Sequence, residues 1–314
     1  MHKPVLLKEI IEYLNPRANQ NFIDCTLGGG GHSLAILKKI EPEGKVLGID
    51  LDKEAIKRLQ GIKNLILVQE NFANLKLIAE KNNFFPVNPV RKGGSSNSTA
   101  LSKNKESQGT GLSNGVNGIL LDLGLSSDLL EKSGRGFSFL RDEPLDMRFD
   151  LNDDLTAEKI INSYEEEELA EIFEKYGEER FSKRIAGKII ESRKTDFIKT
   201  TNQLVEVIKK AVPFRFQHSR IHFATRVFQA LRIAVNDELG VLRKVLPQAI
   251  EILAPEGRLA VISFHSLEDR IVKRFFKEKS GLKIITKKPI RPSLEEVEEN
   301  ARSRSAKLRV AEKL

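Results

Sequence analysis

The sequence predicts an α/β fold built on a mostly parallel sheet and interrupted by an inserted all-helical domain. Strand-like and helix-like segments alternate over the first 85 residues, an order that places parallel strands side by side with helices on both faces. Residues 155–212 keep a helical pattern throughout, and the alternation resumes after them. The length of 314 residues suits about two ordinary domains.

Each predicted element follows from the spacing of its apolar residues. In the first part of the chain the expected strands lie at 21–25, 45–50, 64–69 and 118–123. The expected helices lie at 32–40, 53–60 and 72–81, where apolar residues recur at helical spacing. In the last third we expect one long amphipathic segment over 225–253, a buried strand at 258–264, a helix from Leu267, and two shorter strands near 283–287 and 307–311.

These elements divide the chain into three parts. Residues 1–130 and 223–314 are expected to form the two halves of the α/β core, and 131–222 a helical insert that recognises the substrate. Residues 88–115, within the first half, are rich in Gly, Ser, Asn and Lys and nearly lack large apolar side chains. Such a stretch cannot bury enough surface to offset the entropy of ordering it, so we expect a flexible insertion there.

Composition excludes several classes of protein. Hydrophobic residues make up 40% of the chain and charged residues 31%, which is the balance of a folded protein. No apolar run reaches the roughly 18 residues of a transmembrane helix, and Lys8, Glu9 and Glu12 interrupt the N-terminal apolar stretch before any signal-peptide cleavage site. The single cysteine, Cys25, excludes an internal disulfide and a multi-cysteine metal site. We therefore expect a cytoplasmic protein that binds neither membrane nor metal.

The net charge of +8 is concentrated in the last third of the chain. Residues 221–314 carry 19 basic and 12 acidic side chains, and the basic block 270–291 holds nine basic residues against Glu278 alone. A block of this kind is typical either of a solvated surface or of a surface that binds a polyanion such as RNA. Its position after the predicted catalytic strands favours a C-terminal region that faces RNA.

A glycine-rich turn follows the first predicted strand. Gly28 to Gly31 stand between Asp24 and His32, and consecutive glycines let a ligand approach the main chain closely. In an open α/β sheet, the first strand–helix turn lies at the crevice where cofactors bind. A tight connection without a ligand is the alternative.

Asp50 closes the second predicted strand, about 20 residues further on, where a carboxylate can accept both ribose hydroxyls of a nucleoside. Asp52 is expected to cap the next helix, which leaves Asp50 for the ligand. The dinucleotide pattern G-x-G-x-x-G fails because Ser33 takes its last position, and the P-loop Gly-Lys-Ser/Thr is absent. The remaining pattern resembles the S-adenosylmethionine site of class I methyltransferases, with Phe72 either on the adenine face or in the core.

The fourth predicted strand ends at Asp122 on the same edge of the sheet, which places a carboxylate near the transferable methyl group. With Cys25 in the predicted core and no second cysteine, the chain cannot attack a pyrimidine carbon with a thiol. Direct displacement by a nitrogen or oxygen nucleophile is therefore favoured. An exocyclic base amine needs acceptors for its protons, and we expect Asp122, with Ser126 and Ser127, to supply that environment.

A loop beside the predicted crevice is a candidate for substrate binding. From Arg135 through Phe137 to Arg148 it mixes arginines, aromatics and acids without periodicity. Unpaired bases stack on aromatic rings while arginines hold phosphates, so this composition suits contact with single-stranded RNA.

The end of the fifth predicted strand carries a second candidate. Ser266 and Asp269 fit a helix capping box, which is a structural role. A capping box formed by that pair gives no role to His265. The sequence leaves His265 either to face the substrate or to make a local hydrogen bond.

Irregular motifs occur in a characteristic order nearly from end to end of the chain, at 4–9, 30–33, 121–127, 135–139, 144–148, 176–181, 225–230, 263–270 and 302–309. In these motifs the chain resembles the ribosomal RNA small-subunit methyltransferase H family, which methylates N4 of a cytidine in the decoding region of 16S rRNA. The resemblance implies S-adenosylmethionine as cofactor and 16S rRNA or the small ribosomal subunit as partner. It implies cofactor contacts from Gly30, Gly31, His32, Asp50, Phe72 and Asp122.

The chain also departs from the family pattern. Leu129 stands where the family carries a glutamine that touches the cofactor, so that contact is not expected here. Phe223 and Ala301 stand where prolines are usual. There are two alternatives to the methylation of cytidine N4. The first is an RNA-binding assembly factor with a vestigial cofactor site, which would agree with Leu129. The second is a methyltransferase for a non-RNA substrate, and the basic block argues against it.

Overall fold

A seven-stranded sheet organises the computed structural model, which describes residues 3–85, 115–125, 127–131, 133–218 and 221–314, with the backbone alone at 127 and 128. The flexible insertion expected at 88–115 lies outside the described residues except for Gly115. The strands are β1 (Phe22–Asp24), β2 (Val46–Asp50), β3 (Leu65–Gln69), β4 (Val116–Asp122), β5 (Leu253–Ser263), β6 (Leu282–Ile284) and β7 (Lys307–Lys313).

The strands lie in the order β3-β2-β1-β4-β5-β7-β6. Strands β1 to β5 run parallel, and β7 runs antiparallel between β5 and β6. The predicted α/β fold with a mostly parallel, Rossmann-like sheet is therefore confirmed. From β1 the chain continues to β2 and β3 on one side and then returns to β4 on the other side of β1. Where the direction of the strand order reverses in this way, a crevice opens beyond the carboxyl ends of the two strands.

Neighbouring residues of each strand pack on opposite faces of the sheet, because side chains alternate along a strand. Phe22 belongs to the hydrophobic cluster of Ile10 and Ile36 on one face, whereas Ile23 belongs to that of Leu75 and Leu246 on the other. The helices of this α/β core are α1 (Leu7–Leu14), α2 (Gly31–Ile40), α3 (Lys53–Arg58), α4 (Leu75–Lys81), α12 (Glu238–Ile252), α13 (Ser266–Glu278) and α14 (Leu294–Glu299), with 3₁₀ turns at Phe72–Asn74 and Ala301–Ser305.

The helical insert has a hydrophobic core of its own, centred on Phe173, Leu204 and Leu231. Its helices are α5 (Ser127–Glu131), α6 (Ala157–Ser163), α7 (Glu166–Gly177), α8 (Ser182–Arg193), α9 (Thr201–Ala211), α10 (Phe214–Gln217) and α11 (Thr225–Asn236). Helix α11 packs against α7, so its apolar residues share the hydrophobic core of the other helices in this group. None of the described helices is long and apolar enough to cross a membrane.

The segment expected as one amphipathic unit over 225–253 divides into two helices. Asp237 lies between α11 and α12 in the left-handed region, with φ of 45°. Asparagine and aspartate tolerate this conformation better than other non-glycine residues, so the polar pair Asn236 and Asp237 is a natural place for the break. The break directs the polar side chains around it towards the crevice.

Candidate active site

A cavity of about 490 Å³ opens at the carboxyl ends of the parallel strands and is closed on one side by the helical insert. This volume is in the range of sites that enclose a nucleoside-sized ligand. Eight of the ten site residues predicted from the sequence line it, namely Gly31, His32, Asp50, Phe72, Asp122, Arg135, Phe137 and His265. Gly30 and Arg148 do not line the cavity.

The glycine-rich turn is bound to the end of β2 through Asp50. The Asp50 Oδ2 atom accepts a hydrogen bond of 2.7 Å from the amide of Gly28, and Oδ1 accepts one of 2.9 Å from the amide of Asp52. Asp52 caps α3, as the sequence predicts. Gly30 has φ of 75° and lies against Leu59, so its role in the turn is conformational.

Asp50 keeps the capacity to bind a nucleoside ribose in this arrangement. Each carboxylate oxygen has two lone pairs, and each uses only one for the backbone amides of the turn. Burial raises the pKa of Asp50, and the two amides oppose that shift because they stabilise the ionised form. With Phe72 on the cavity wall, the residues present therefore fit the adenosine part of S-adenosylmethionine. Leu129 lines the same cavity with an apolar side chain.

Asp122 is held at the end of β4 by a short chain of hydrogen bonds. Thr26 Oγ1 accepts from the Asp122 amide at 2.7 Å, and the Thr26 amide donates to Asp24 Oδ1 at 3.1 Å. Ser33 Oγ donates to Asp24 Oδ2 at 2.6 Å. His32 Nδ1 lies 3.8 Å from Asp122 Oδ2, while His32 Nε2 contacts the carbonyl of Val5 at 2.9 Å. The side chain of Asp122 is 16% exposed, and its Oδ1 atom has no partner among the described residues.

Burial raises the pKa of Asp122 to about 6 because the interior favours the neutral carboxyl. His32 and the amide of Gly124 oppose the shift, whereas the nearby carboxylate of Asp24 adds to it. At neutral pH the group is therefore ionised and has a stronger affinity for protons than an ordinary aspartate. These are the properties of a proton acceptor at an active site.

The ionised side chain of Asp122 is expected to reduce the stability of the fold. Because its pKa is higher in the folded chain than in the unfolded one, stability falls as pH rises from about 4 through about 6. The Asp122→Asn substitution should raise the free energy of unfolding at pH 8 by up to about 3 kcal/mol, since one pKa unit corresponds to about 1.4 kcal/mol. Thermal unfolding should show this gain, and it should shrink towards pH 4.5. A variant no more stable than the wild type at pH 8 would contradict the assignment.

Cys25 lines the cavity but does not supply a nucleophile. Its side chain is buried, and burial together with the charge of Asp24 raises the pKa of the thiol well above its usual value. A thiol in this state remains protonated, and the thiolate is the reactive form. The geometry therefore agrees with the expectation that the chain does not attack a pyrimidine carbon through cysteine.

The loop around Arg135 is ordered by its own contacts. The Arg135 guanidinium donates to the carbonyl of Arg148 at 2.7 Å, and the rings of Phe137 and Phe149 stack with centroids 5.5 Å apart. Arg148 pairs with Asp146 at 2.7 Å and donates to two further carbonyls of the loop. Arg148 thus stabilises the loop, whereas Arg135 and Phe137 lie on the cavity wall.

Three cavity residues lie at the junction of α11 and α12 and were not predicted from the sequence, namely Arg232, Asn236 and Glu238. Arg232 and Glu238 form a two-bond ion pair with distances of 2.7 and 2.9 Å. Asn236 accepts from the amide of Phe149 at 2.7 Å and donates to the carbonyl of Met147 at 2.8 Å. The polar pair 236–237 within an otherwise apolar repeat was the signal that could have revealed the junction.

The capping box before α13 is formed by His265 and Glu268, so its assignment to Ser266 and Asp269 was wrong by one residue. Ser266 donates to Glu178 at 2.6 Å, which joins α13 to the helical insert. Asp269 pairs with Arg309 at 2.6 Å. His265 therefore makes a local hydrogen bond and also lines the cavity.

One group of side chains in the described part of the chain has the spacing of a metal site. Candidate ligand atoms of Glu238, His265 and Glu268 lie within 4.8 Å of one another. The His265 Nδ1 atom accepts from the amide of Glu268 at 3.4 Å, so the neutral ring carries its proton on Nε2. A metal on Nε2 would move the ring proton to Nδ1, where it would face the amide of Glu268, and Glu238 is already paired with Arg232.

The chain is similar over its full length to known proteins. The chain is 45% identical over 335 aligned positions to the "Ribosomal RNA small subunit methyltransferase H" of Clostridium botulinum (strain Loch Maree / Type A3), which covers 100% of this chain and 99% of the relative. The protein of the same name from Halothermothrix orenii is also 45% identical and covers 100% and 98%.

Solved structures are more distant. An rRNA methylase from Streptococcus thermophilus aligns over 100% of this chain and 99% of its own length, but with 10% identity and a TM-score of 0.41, so the assignment does not depend on it. The sequence match to the MraW methylase family, by contrast, covers residues 1–314. The chain therefore belongs to the MraW methylase family.

Proposed function

We propose that this protein transfers a methyl group from S-adenosylmethionine to N4 of a cytidine in the decoding region of small-subunit rRNA, in the cytoplasm. The observation that carries the proposal is Asp122, a partly buried carboxylate whose buried Oδ1 atom has no partner among the described residues, in one cavity with Asp50 and the glycine-rich turn. Family membership and the names of the 45% identical relatives suggest the substrate class.

The proposed roles follow from the chemistry of an aromatic amine. The bound cofactor supplies an electrophilic methyl group on a positively charged sulfur. The turn at Gly31 and His32 and the carboxylate of Asp50 orient that ligand, and Asp122 Oδ1 accepts a hydrogen bond from the N4 amine. Methylation of the amine would leave N4 with one proton in excess, and Asp122 would accept that proton and release it to solvent. With a pKa of about 6, Asp122 is ionised and ready to accept that proton at neutral pH.

Two surfaces are suited to hold the RNA. All nine basic residues of the basic block are exposed, and within the described residues only Arg270 and Lys283 form ion pairs, with Glu178 and Glu312. On the helical insert, the guanidinium of Arg180 lies 3.6 Å from the ring centroid of Phe216. The neighbouring Phe214 is 75% exposed. Exposed cations beside aromatic rings are typical of surfaces that bind unpaired RNA.

Phosphate contacts by the basic block should appear in the salt dependence of RNA binding. Each contacted phosphate contributes about −0.7 to the slope of log affinity against log salt for a single strand. The double substitution Lys287→Gln and Lys288→Gln should therefore make that slope shallower by about 1.4. Binding to a small-subunit RNA fragment between about 50 and 200 mM salt measures it.

A matched control removes two other lysines. Lys38 and Lys39 are exposed in the last turn of α2, at the edge of the sheet opposite the cavity. Lys38→Gln with Lys39→Gln should leave the slope unchanged. A flat salt response of the wild type would favour a non-RNA substrate instead.

The cellular modification tests the proposal as a whole. Small-subunit RNA from cells with and without the gene should differ by one N4-methylated cytidine in the decoding region. RNA that is identical in both strains, or that differs only at a carbon or ribose methyl group, would overturn the proposed function.

A further inference from the structure

Two buried side-chain polar atoms in the described part of the chain have no hydrogen-bond partner, Asp122 Oδ1 and His265 Nε2. Both residues line the active-site cavity. Buried polar atoms in folded proteins nearly always have partners, because an unmade hydrogen bond is costly. Two such atoms in one cavity therefore mark positions that polar atoms of a bound molecule fill.

The two atoms have opposite hydrogen-bonding character. Asp122 Oδ1 belongs to a carboxylate and accepts. Because His265 Nδ1 accepts from the amide of Glu268, the neutral ring carries its hydrogen on Nε2 and donates there. Glu268 Oε1 lies 3.2 Å from Nε2 but does not form a hydrogen bond with it. The cavity thus offers one acceptor and one donor.

The His265 ring is fixed before any ligand binds. Its side chain is 9% exposed, and it caps α13. Glu268 completes the capping box, since its Oε2 atom accepts from the amides of Phe264 at 2.8 Å and His265 at 3.3 Å. A donor that is already oriented loses little freedom when the substrate arrives.

We propose that His265 recognises the target base through N3 of cytosine, an inference that rests on the function proposed above. Nε2–H donates to N3 while Asp122 Oδ1 accepts from the adjacent N4 amine. Cytosine presents an amine donor beside a ring-nitrogen acceptor, whereas uracil presents a carbonyl acceptor beside an N–H donor, so uracil would face both protein atoms with like groups. His265 thereby positions the base and selects between pyrimidines.

A base analogue that lacks N3 tests this contact. Small subunits are reconstituted with rRNA carrying either cytidine or 3-deazacytidine at the target position, and kcat/KM is measured for the wild type and for His265→Asn. Asparagine keeps a helix cap at this position but cannot extend a ring N–H into the cavity. The wild type should be about 3- to 10-fold slower on the analogue, the effect of one neutral hydrogen bond.

The variant should lose a similar factor on cytidine and should not distinguish the two bases. If His265→Asn prefers cytidine over 3-deazacytidine as strongly as the wild type does, the inference is overturned. In that case the preference does not depend on His265, and the role of this residue is purely structural. If the wild type methylates N4 of the natural substrate but does not discriminate against the analogue, the proposed function stands and only the N3 contact fails. If the wild type does not methylate N4 of the natural cytidine, both fail.

Discussion

Replacing Asp122 with asparagine is expected to lower kcat about 10²- to 10⁴-fold, the usual contribution of a positioned proton acceptor. Asparagine keeps the shape of the side chain and one acceptor oxygen, but it cannot take a proton from the reacting amine. The Asp122 Oδ1 atom has no hydrogen-bond partner among the described residues, so it is available to the reacting amine. Single-turnover methylation of small subunits by the purified variant measures the loss.

The pH dependence distinguishes this role from a structural one. Because the pKa of Asp122 is about 6, the wild-type rate should be constant above pH 7 and fall about tenfold for each unit below pH 6. The variant should show no such decline. Asp196→Asn removes an exposed carboxylate that does not line the cavity, and it should leave rate and pH profile unchanged. A loss of less than about tenfold in Asp122→Asn would contradict the proposed role.

Replacing Asp50 with alanine is expected to weaken the binding of S-adenosylmethionine about 10- to 150-fold. A charge-assisted hydrogen bond contributes about 1.5–3 kcal/mol, which corresponds to that range of affinity. The substitution also removes the acceptor for the amides of Gly28 and Asp52, so part of the loss comes from a looser glycine-rich turn. Titration calorimetry with the cofactor measures the affinity.

Glu54→Gln is the matched control for Asp50→Ala. Glu54 is an exposed carboxylate in the first turn of α3, four residues after Asp50, and it does not line the cavity. Its substitution should leave the affinity within about twofold of the wild type, a difference of about 0.4 kcal/mol. An unaffected affinity in Asp50→Ala, or no binding by the wild type, would instead support an assembly factor with a vestigial cofactor site.

The part of the site that could be predicted from sequence is the part that strand ends determine. Asp50 and Asp122 each follow a buried apolar run, and parallel strands bring their carboxyl ends to one edge of the sheet. The glycine-rich turn was recognisable for the same reason, since its position between strand and helix defines its location in the fold. Local pattern and topology together therefore located the cavity.

The rest of the site depends on contacts that a linear pattern does not encode. Arg232 and Glu238 reach the cavity because the chain breaks at Asp237, and the only mark of that break in the sequence is the polar pair Asn236 and Asp237. The ring of His265 takes the capping position that the sequence pattern gave to Ser266, because the hydrogen-bond geometry at the strand end decides between adjacent polar residues. Arg148 pairs with Asp146 and donates to loop carbonyls instead of lining the cavity, because the conformation of that loop brings these groups together.

The identity of the methylated atom shows whether the protein is a cytidine N4-methyltransferase. Purified protein, methyl-labelled S-adenosylmethionine and small ribosomal subunits that lack the modification are combined, and the RNA is digested to nucleosides. We expect the label to appear in N4-methylcytidine. Label only in carbon-5 or ribose methyl groups, or no transfer to RNA, would contradict it.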